Sequence, residues 1–399
     1  MRLLLIFFLI VSIKIHGQSI LNKTLDDIEF SKILNSNTPS ASLADFSSKV
    51  IILNFWATWC TPCIGSLPHL EELQERFRED LVILTITDES EERIFNFLKK
   101  RNITLPIILD HDRKLAAQFP HRTISHTVII DKNKVVKAVT TPEKINDNIL
   151  KLAISGQPID LPEKMDNLNF DPSVPLSGNE NFTYQITATP YHSGIPSMAN
   201  PTGTGAYKGR RIICTNLSPV SLYEIAYQFP VGTRTVIEAA NKEALKWNEQ
   251  TAICFDLIVP IEMGEKRFEI MQQQLNILYP YNVTIEKRKM DCKILIPILG
   301  EEVKILPATG GQKLVSYSGR GLSMKNAEIN TICNFLESML NAPVIDKTQL
   351  SGLYDLELNW YHENPDYIHE ELKELGLKLV NSQQEMEILV INDDISAKH

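Results

Sequence analysis

The chain has 399 residues, which predicts two domains at roughly 100 to 200 residues each. Its composition, 43% hydrophobic and 22% charged, is that of a soluble globular protein rather than a fibrous, disordered or membrane-embedded one. The formal net charge of -9 argues against a nucleic-acid partner and against strong binding to membrane surfaces, because both need clustered Lys and Arg.

The first 17 residues have the pattern of an export signal. Arg2 supplies the positive start, residues 3–13 are apolar except for Ser12, and Gly17 offers a small residue for cleavage. The apolar run is shorter than the roughly 20 residues of a membrane-spanning helix. We therefore assign residues 1–17 to a signal peptide and expect a periplasmic or secreted protein, which would be membrane-anchored if the segment were not cleaved.

A continuous apolar run at Val50–Phe55 predicts a strand buried on both faces. The cysteines Cys60 and Cys63 follow it directly and open an amphipathic helix that Pro68 is expected to kink. The apolar stripe of this helix has three- and four-residue spacing and consists of Ile64, Leu67, Leu70, Leu73 and Phe77. A strand at residues 81–87 and a second helix near residues 94–98 complete a strand-helix-strand crossover.

Two β-rich runs farther along, residues 127–130 and 135–139, are joined by a polar turn and predict an antiparallel hairpin. Thr141 is placed to cap a final helix, with Pro142 at its first position. This order of elements predicts an α/β thioredoxin-like fold over residues 18–155, with a mixed central sheet flanked by helices.

Periodicity disappears in residues 156–181, where four prolines alternate with polar residues, as in a semi-rigid linker. Globular patterning resumes at residue 182, with a predicted strand at residues 184–188 and a predicted helix at residues 328–340. We therefore expect a second domain of the α+β class over residues 182–399.

The positions of the two cysteines favour dithiol chemistry. Cys60 would lie at a helix N-terminus, where free backbone N-H groups and the helix dipole favour the thiolate. Cys63 would lie one turn later and attack Cys60 to release a substrate from the mixed disulfide. Such exchange acts on protein thiols and disulfides and calls for no cofactor.

The run VIILNFWATWCTPC at residues 50–63 resembles the extracytoplasmic TlpA/ResA-like branch of the thioredoxins, as does SHTVIIDKNKVV at residues 125–136. The resemblance implies the thioredoxin fold, with Cys60 as nucleophile and Cys63 as resolving cysteine. We expect Trp59, Pro62, Ser125 and His126 as supporting residues around the pair. The resemblance also implies clients in the cell envelope and a membrane-borne electron donor.

Two departures from this family concern the surroundings of the cysteines. Ser66 stands where reductive members have a glutamate, and a serine hydroxyl is no comparable base near neutral pH. Ser125 stands where the family has a cis-proline, and a cis bond before a non-proline residue costs roughly 2.5 to 4 kcal/mol. We therefore expect the Ile124–Ser125 bond to be trans and the loop facing the cysteines to differ in shape.

The cysteines also allow a metal hypothesis, in which Cys60 and Cys63 bind a metal together with His126 on the facing loop. Redox chemistry is favoured because zinc needs four ligands and the chain has no second closely spaced cysteine pair. The other four cysteines allow three complete pairings or four free thiols, and the sequence does not choose among them; they are Cys214, Cys254, Cys292 and Cys333.

The C-terminal half resembles an uncharacterised family of soil-associated bacterial proteins, through LYEIAY at residues 222–227, APVIDKT at residues 342–348 and SGLYDLELNW at residues 351–360. Gln349 departs from a glycine usual there. The resemblance implies no catalytic residue, so a binding or assembly role is expected, such as presenting clients to the redox domain. The leading hypothesis is a reductive thiol-disulfide oxidoreductase of exported proteins. The alternative is an envelope binding protein whose thioredoxin domain is a weak redox sensor or metal site.

Overall fold

The computed structural model describes residues 19–178 and 181–393, so the predicted signal peptide lies outside the described residues. Within those ranges, no helix combines the length and the apolar character needed to cross a bilayer. The strands of the first domain are β1 (Glu29–Phe30), β2 (Ile33–Leu34), β3 (Ala41–Ser42), β4 (Val50–Phe55), β5 (Leu81–Thr87), β6 (Ile107–Leu109), β7 (His126–Ile130) and β8 (Val136–Thr140). Its helices are α1 (Thr61–Arg76), α2 (Glu91–Lys100), α3 (Lys114–Gln118) and α4 (Asp147–Ile154).

The first domain is built on a six-stranded mixed sheet in the order β2-β6-β5-β4-β7-β8. Strands β4, β5 and β6 run parallel, whereas β7 is antiparallel to β4 and β8 is antiparallel to β7. All six residues of β4 are buried, because alternate side chains enter separate cores on the two faces of the sheet. The mixed sheet, the crossover and the hairpin are therefore confirmed as predicted.

The end of this domain differs from the prediction in one respect. Pro142–Lys144 forms only a short 3-10 turn after Thr141. Helix α4 begins at Asp147, and its N-cap is Asn146, whose side-chain oxygen accepts a hydrogen bond from the Ile149 N-H at 3.1 Å. Asn146 therefore offers the capping oxygen, and the assignment of the cap to Thr141 was wrong.

Residues 156–178 contain no helix or strand, yet they are hydrogen-bonded to both domains. On one side, the Lys164 N-H donates to the Val139 carbonyl at 2.8 Å. On the other side, the guanidinium of Arg211 donates to three successive carbonyls, those of Pro172, Ser173 and Val174, at 2.8 to 2.9 Å. The segment is thus attached at its two ends to different domains.

The second domain contains three four-stranded sheets within the described residues, in the orders β10-β11-β13-β9, β12-β20-β14-β18 and β15-β19-β17-β16. Its strands are β9 (Gln185–Pro190), β10 (Met198–Asn200), β11 (Arg211–Leu217), β12 (Thr235–Ile237), β13 (Ile253–Ile258), β14 (Tyr281–Pro297), β15 (Leu306–Pro307), β16 (Leu314–Ser318), β17 (Gly321–Ala327), β18 (Val344–Asp346), β19 (Tyr354–Asn359) and β20 (Leu377–Asp393). Its helices are α5 (Pro219–Ala226), α6 (Arg267–Leu278), α7 (Asn330–Leu340) and α8 (Tyr367–Glu374). This is the second, α+β domain that the sequence predicts.

The four cysteines of the second domain are free thiols, and each is buried. Burial raises the pKa of all four thiols, and it raises that of Cys333 to about 12. Since the thiolate is the nucleophile in disulfide exchange, these thiols are poorly suited to the reaction. Among the alternatives that the sequence left open, the structure has free thiols.

Candidate redox site

Cys60 and Cys63 form a disulfide at the start of α1. Cys60 is the N-cap residue, and its sulfur accepts a hydrogen bond from the backbone N-H of Cys63 at 3.3 Å. Cys60 is 6% exposed and Cys63 is fully buried, so Cys60 is the member of the pair that a substrate can reach. When the disulfide is reduced, the N-H at this position stabilises negative charge on the Cys60 sulfur.

The residues around the pair come from three segments. Trp59 is half-buried beside Cys60, and Pro62 is exposed in the first turn of α1, where its missing N-H breaks no helical hydrogen bond. The loop before β7 approaches from the other side, and the carbonyl oxygen of Ile124 lies 4.0 Å from the Cys60 sulfur. Trp59 and Ile124 therefore flank the reactive sulfur.

The expectation for Ser125 was wrong, because the Ile124–Ser125 peptide bond is cis. The sequence offered only the local preference for trans. In the fold, the residues on both sides of the bond are fixed by tertiary contacts. Ile124 packs against the buried cores and His126 pairs with Phe55 across the sheet. The backbone at Ser125 therefore has the cis geometry that the resemblance associates with proline.

His126 does not lie on the Cys60 side of the sheet. It is directly opposite Phe55 in the β4-β7 pairing, and its ring centroid lies 5.7 Å from that of Phe55. Residues opposite each other in a sheet share a face, and Phe55 belongs to the core on the face away from the cysteines. Among the described residues, no group of three His, Cys, Asp or Glu side chains is arranged to hold a metal ion. The metal hypothesis therefore has no geometric support.

Instead, the His126 ring stacks on His121, with centroids 4.6 Å apart and planes 16° apart. Both ring nitrogens of His126 are buried without a hydrogen-bond partner. Burial, with a further contribution from His121, lowers the pKa of His126 to about 3. His126 is thus a neutral packing residue at physiological pH.

Two polar side chains near the cysteines, those of Ser66 and Asn54, make structural hydrogen bonds. The Ser66 hydroxyl donates to the Cys63 carbonyl at 2.8 Å, within its own helix. The buried Asn54 accepts from the Thr127 hydroxyl at 2.9 Å and so joins β4 to β7. Neither contact supplies a base to Cys63.

Sequence reasoning missed a buried polar network under the cysteine loop. The carboxylate of Glu89 accepts hydrogen bonds from the Thr58 N-H at 2.6 Å and from the Thr58 hydroxyl at 2.9 Å. Arg93 forms an ion pair with Glu89 at 2.9 Å, and their side chains are 10% and 1% exposed. The spacing of four residues is the usual one for a surface pair on a helix, so nothing in the sequence pattern indicates that this pair is buried.

Arg93 also joins the cysteine loop to the second domain. Its guanidinium donates to the Trp360 carbonyl at 2.6 Å and to the carbonyls of Gly319 and Arg320 at 3.4 Å. Gly319 and Arg320 lie in the turn between β16 and β17. We call residues 318–320 the hairpin tip. The hairpin tip therefore lies beside the redox pair, within reach of the network that holds Thr58.

Comparison with known proteins gives two family matches. Residues 22–139 match the AhpC/TSA family, and residues 278–393 match a family described as a protein of unknown function (DUF3738). The second match agrees with the resemblance of the C-terminal half to a family with no known activity.

Two relatives match at similar levels. A thiol-disulfide oxidoreductase ResA of Bacillus cereus is 30% identical over 142 residues, which cover 34% of this chain and 78% of the relative. The thiol-disulfide oxidoreductase ResA of Bacillus subtilis is 31% identical over 125 residues, which cover 29% of this chain and 70% of the relative. With its cysteine pair at the start of a helix on a thioredoxin-like sheet, the chain belongs to the ResA-like family of thiol-disulfide oxidoreductases.

Proposed function

We propose that the protein reduces disulfides of exported proteins in the cell envelope, with Cys60 as the nucleophile and Cys63 as the resolving cysteine. The observation that supports these roles is the difference in position along α1. Cys60 is at the helix N-terminus and partly accessible, while Cys63 is fully buried one turn later. A substrate disulfide can therefore meet only the Cys60 sulfur.

The reaction begins when the Cys60 thiolate attacks one sulfur of the client disulfide. The client S-S bond breaks, a mixed disulfide forms, and the second client sulfur leaves as a thiolate that takes up a proton. The Cys63 thiolate then attacks the Cys60 sulfur, which releases the first client sulfur as a thiol and forms the Cys60–Cys63 disulfide. Two electrons pass to the client, and we propose a membrane-borne donor as their source in the next cycle.

The reductive direction, the envelope location and the supporting roles of Trp59, Pro62 and Ser125 follow from the resemblance to the ResA-like branch. The export-signal pattern of residues 1–17 supports the location. Trp59 directly precedes Cys60, Ser125 follows Ile124, whose carbonyl oxygen lies 4.0 Å from the Cys60 sulfur, and Pro62 separates the cysteines in the first helical turn. Ser66 leaves Cys63 without a carboxylate neighbour three residues later, so we expect slow or selective turnover.

A trapping experiment tests the proposed roles. In a Cys63→Ala variant, the Cys60 thiolate can attack client disulfides but the mixed disulfide cannot be resolved, so covalent adducts should accumulate on envelope proteins. They should be visible as bands that disappear on adding dithiothreitol. A double variant that also carries Cys60→Ser is the control and should form none.

If the Cys63→Ala variant forms no adducts while purified wild-type protein still reduces a model disulfide, the assignment to envelope clients is wrong. The alternative, an envelope binding protein, would then be favoured. Adducts that persist in the Cys60→Ser control would show that another thiol is the nucleophile.

A further inference from the structure

The hairpin tip of the second domain lies directly on Trp59. A Cβ atom built on Gly319 would be 2.5 Å from the Trp59 Cβ and 3.0 Å from His362 Nε2. Real Cβ atoms do not approach this closely, so only glycine fits between the two side chains. The contact is therefore a close fit of one domain on the residue that precedes Cys60.

Arg320 attaches the hairpin tip to the first domain on the exposed side. Its guanidinium forms an ion pair with Asp88 at 2.6 Å, and its central carbon lies 5.9 Å from the centroid of the Trp59 ring. That distance is within the range of a cation-π contact. Because the Arg320 side chain is 46% exposed, replacing it removes these contacts without opening a buried core.

The backbone of the hairpin tip is also hydrogen-bonded to the first domain on its buried side. Arg93 donates to the backbone carbonyls of Gly319 and Arg320 and pairs with the buried Glu89. The same Glu89 accepts two hydrogen bonds from Thr58, two residues before Cys60. The hairpin tip and the cysteine loop therefore share one buried anchor, which fixes the position of the tip relative to the sulfur.

Between the two domains lies a cleft of about 370 Å³, which is lined by residues that flank the redox pair but not by Cys60 or Cys63 themselves. Trp59 and Ile124, the two residues that flank Cys60, line its first-domain side, and Ser318 and Arg320 line its second-domain side. The volume is near the lower end of the roughly 300 to 1,000 Å³ typical of small-molecule sites. A short chain segment is narrow enough to enter a cleft of this volume, whereas a folded protein is too large to enter and can contact only the rim.

We propose that the hairpin tip is the specificity element of the redox site. It admits disulfides carried on short or flexible segments and excludes disulfides held within folded surfaces, because the attacking sulfur must reach a substrate sulfur and access limits the exchange rate. The inference rests on the proposed function, since it concerns substrates of the same cysteine pair. It assigns the second domain a role in selecting clients for the first.

The test compares two substrates, glutathione disulfide as the short one and insulin as the folded one, with dithiothreitol as reductant. The quantity measured is the ratio of kcat/KM for insulin to kcat/KM for glutathione disulfide. Arg320→Ala removes the ion pair, and Gly319→Ala inserts a methyl group against Trp59. Each variant should raise the ratio at least about fivefold, because displacing the hairpin tip should speed the reduction of the folded substrate more than that of the short one. A change of this size needs only a modest difference in activation barrier.

Lys325→Ala is the matched control, because Lys325 is an exposed cation on β17 of the same hairpin and lies away from the cleft lining. It should leave the ratio at the wild-type value. If Gly319→Ala does not fold, as judged by circular dichroism, Arg320→Ala alone decides the question.

A ratio that stays at the wild-type value in folded Arg320→Ala overturns the inference, and so does an equal fall in both rates. If wild-type protein reduces neither substrate, just as Cys60→Ser should not, the proposed function itself fails and the inference fails with it. These two results are distinct, because only the first leaves the cysteine chemistry intact.

Discussion

For individual side chains, position decides which polar groups take part in chemistry. Cys60 is at the N-terminus of a helix and reachable, whereas the four cysteines of the second domain are buried and the pKa values of their thiols are raised by burial. His126 has a chemically versatile side chain, yet strand alternation places it on the sheet face away from the cysteines. We therefore expect replacement of His126 to change the stability of the fold rather than the rate of thiol-disulfide exchange.

We predict that His126 makes the fold sensitive to acid. The pKa of His126 is about 3 in the folded protein and about 6.5 in an unfolded chain, so the unfolded state binds the proton more strongly. Stability from this residue is present above about pH 6.5 and is lost as the pH falls toward 3, by up to about 1.4 kcal/mol per pH unit. His126→Phe should flatten this dependence.

The measurement is the free energy of urea unfolding of wild type and His126→Phe at pH values between about 7 and 4. His111→Phe, at an exposed histidine, is the control and should keep the wild-type slope. Parallel curves for wild type and His126→Phe would contradict the prediction.

Among the secondary-structure elements, strands β11 and β13 illustrate how the second domain holds the connecting segment. Arg211 on β11 and Asp256 on β13 form a two-point ion pair at 2.7 and 2.9 Å, and their side chains are 1% and 0% exposed. Asp256 also accepts a hydrogen bond from the Leu176 N-H at 2.8 Å. The pair thus joins two strands and the segment that precedes them.

Removing one partner of this pair should be costly, because the other charge is then left buried. We predict that Asp256→Ala lowers the free energy of unfolding by about 3 to 5 kcal/mol in a urea titration. Glu243→Ala, which breaks the exposed pair with Lys246, should change it by less than about 1 kcal/mol. Similar losses in the two variants would show that burial does not set the cost here.

Across the two domains, Arg93 makes the contacts that most directly join one to the other. It belongs to α2 of the first domain, pairs with Glu89, and donates to carbonyls of the second domain, including that of Trp360. Its guanidinium also lies 5.0 Å from the centroid of the Tyr361 ring. Charge, hydrogen bonds and an aromatic contact thus converge on one side chain at the interface.

We predict that Arg93→Met lowers the free energy of unfolding by roughly 3 to 5 kcal/mol, since it removes the nearer cation of the buried Glu89 carboxylate and leaves only Arg320, whose Nε lies 3.9 Å away. The two domains should then unfold at separate temperatures in differential scanning calorimetry. Arg76→Met, which breaks an exposed ion pair with Asp147, is the control and should leave the unfolding profile unchanged. An unaltered profile for Arg93→Met would show that the domains are joined mainly by other contacts.

Local patterns in the sequence were enough to predict the cysteine pair and four of the six strands in the sheet of the first domain, β4, β5, β7 and β8. The apolar run at Val50–Phe55 and the two-residue spacing of Cys60 and Cys63 are such patterns, and they act through neighbours in the chain. The predicted helix at residues 328–340 agrees to within two residues with α7 for the same reason.

The surroundings of the cysteines, by contrast, could be established only from the folded chain. Three features depend on segments that are far apart in the chain: the cis bond before Ser125, the sheet face on which His126 lies, and the close contact of Gly319 with Trp59. Arg93 and Trp360 are separated by 267 residues, and their contact leaves no periodic signal in either segment. Such contacts exist only after both domains have folded, because the packing of one against the other brings these residues together.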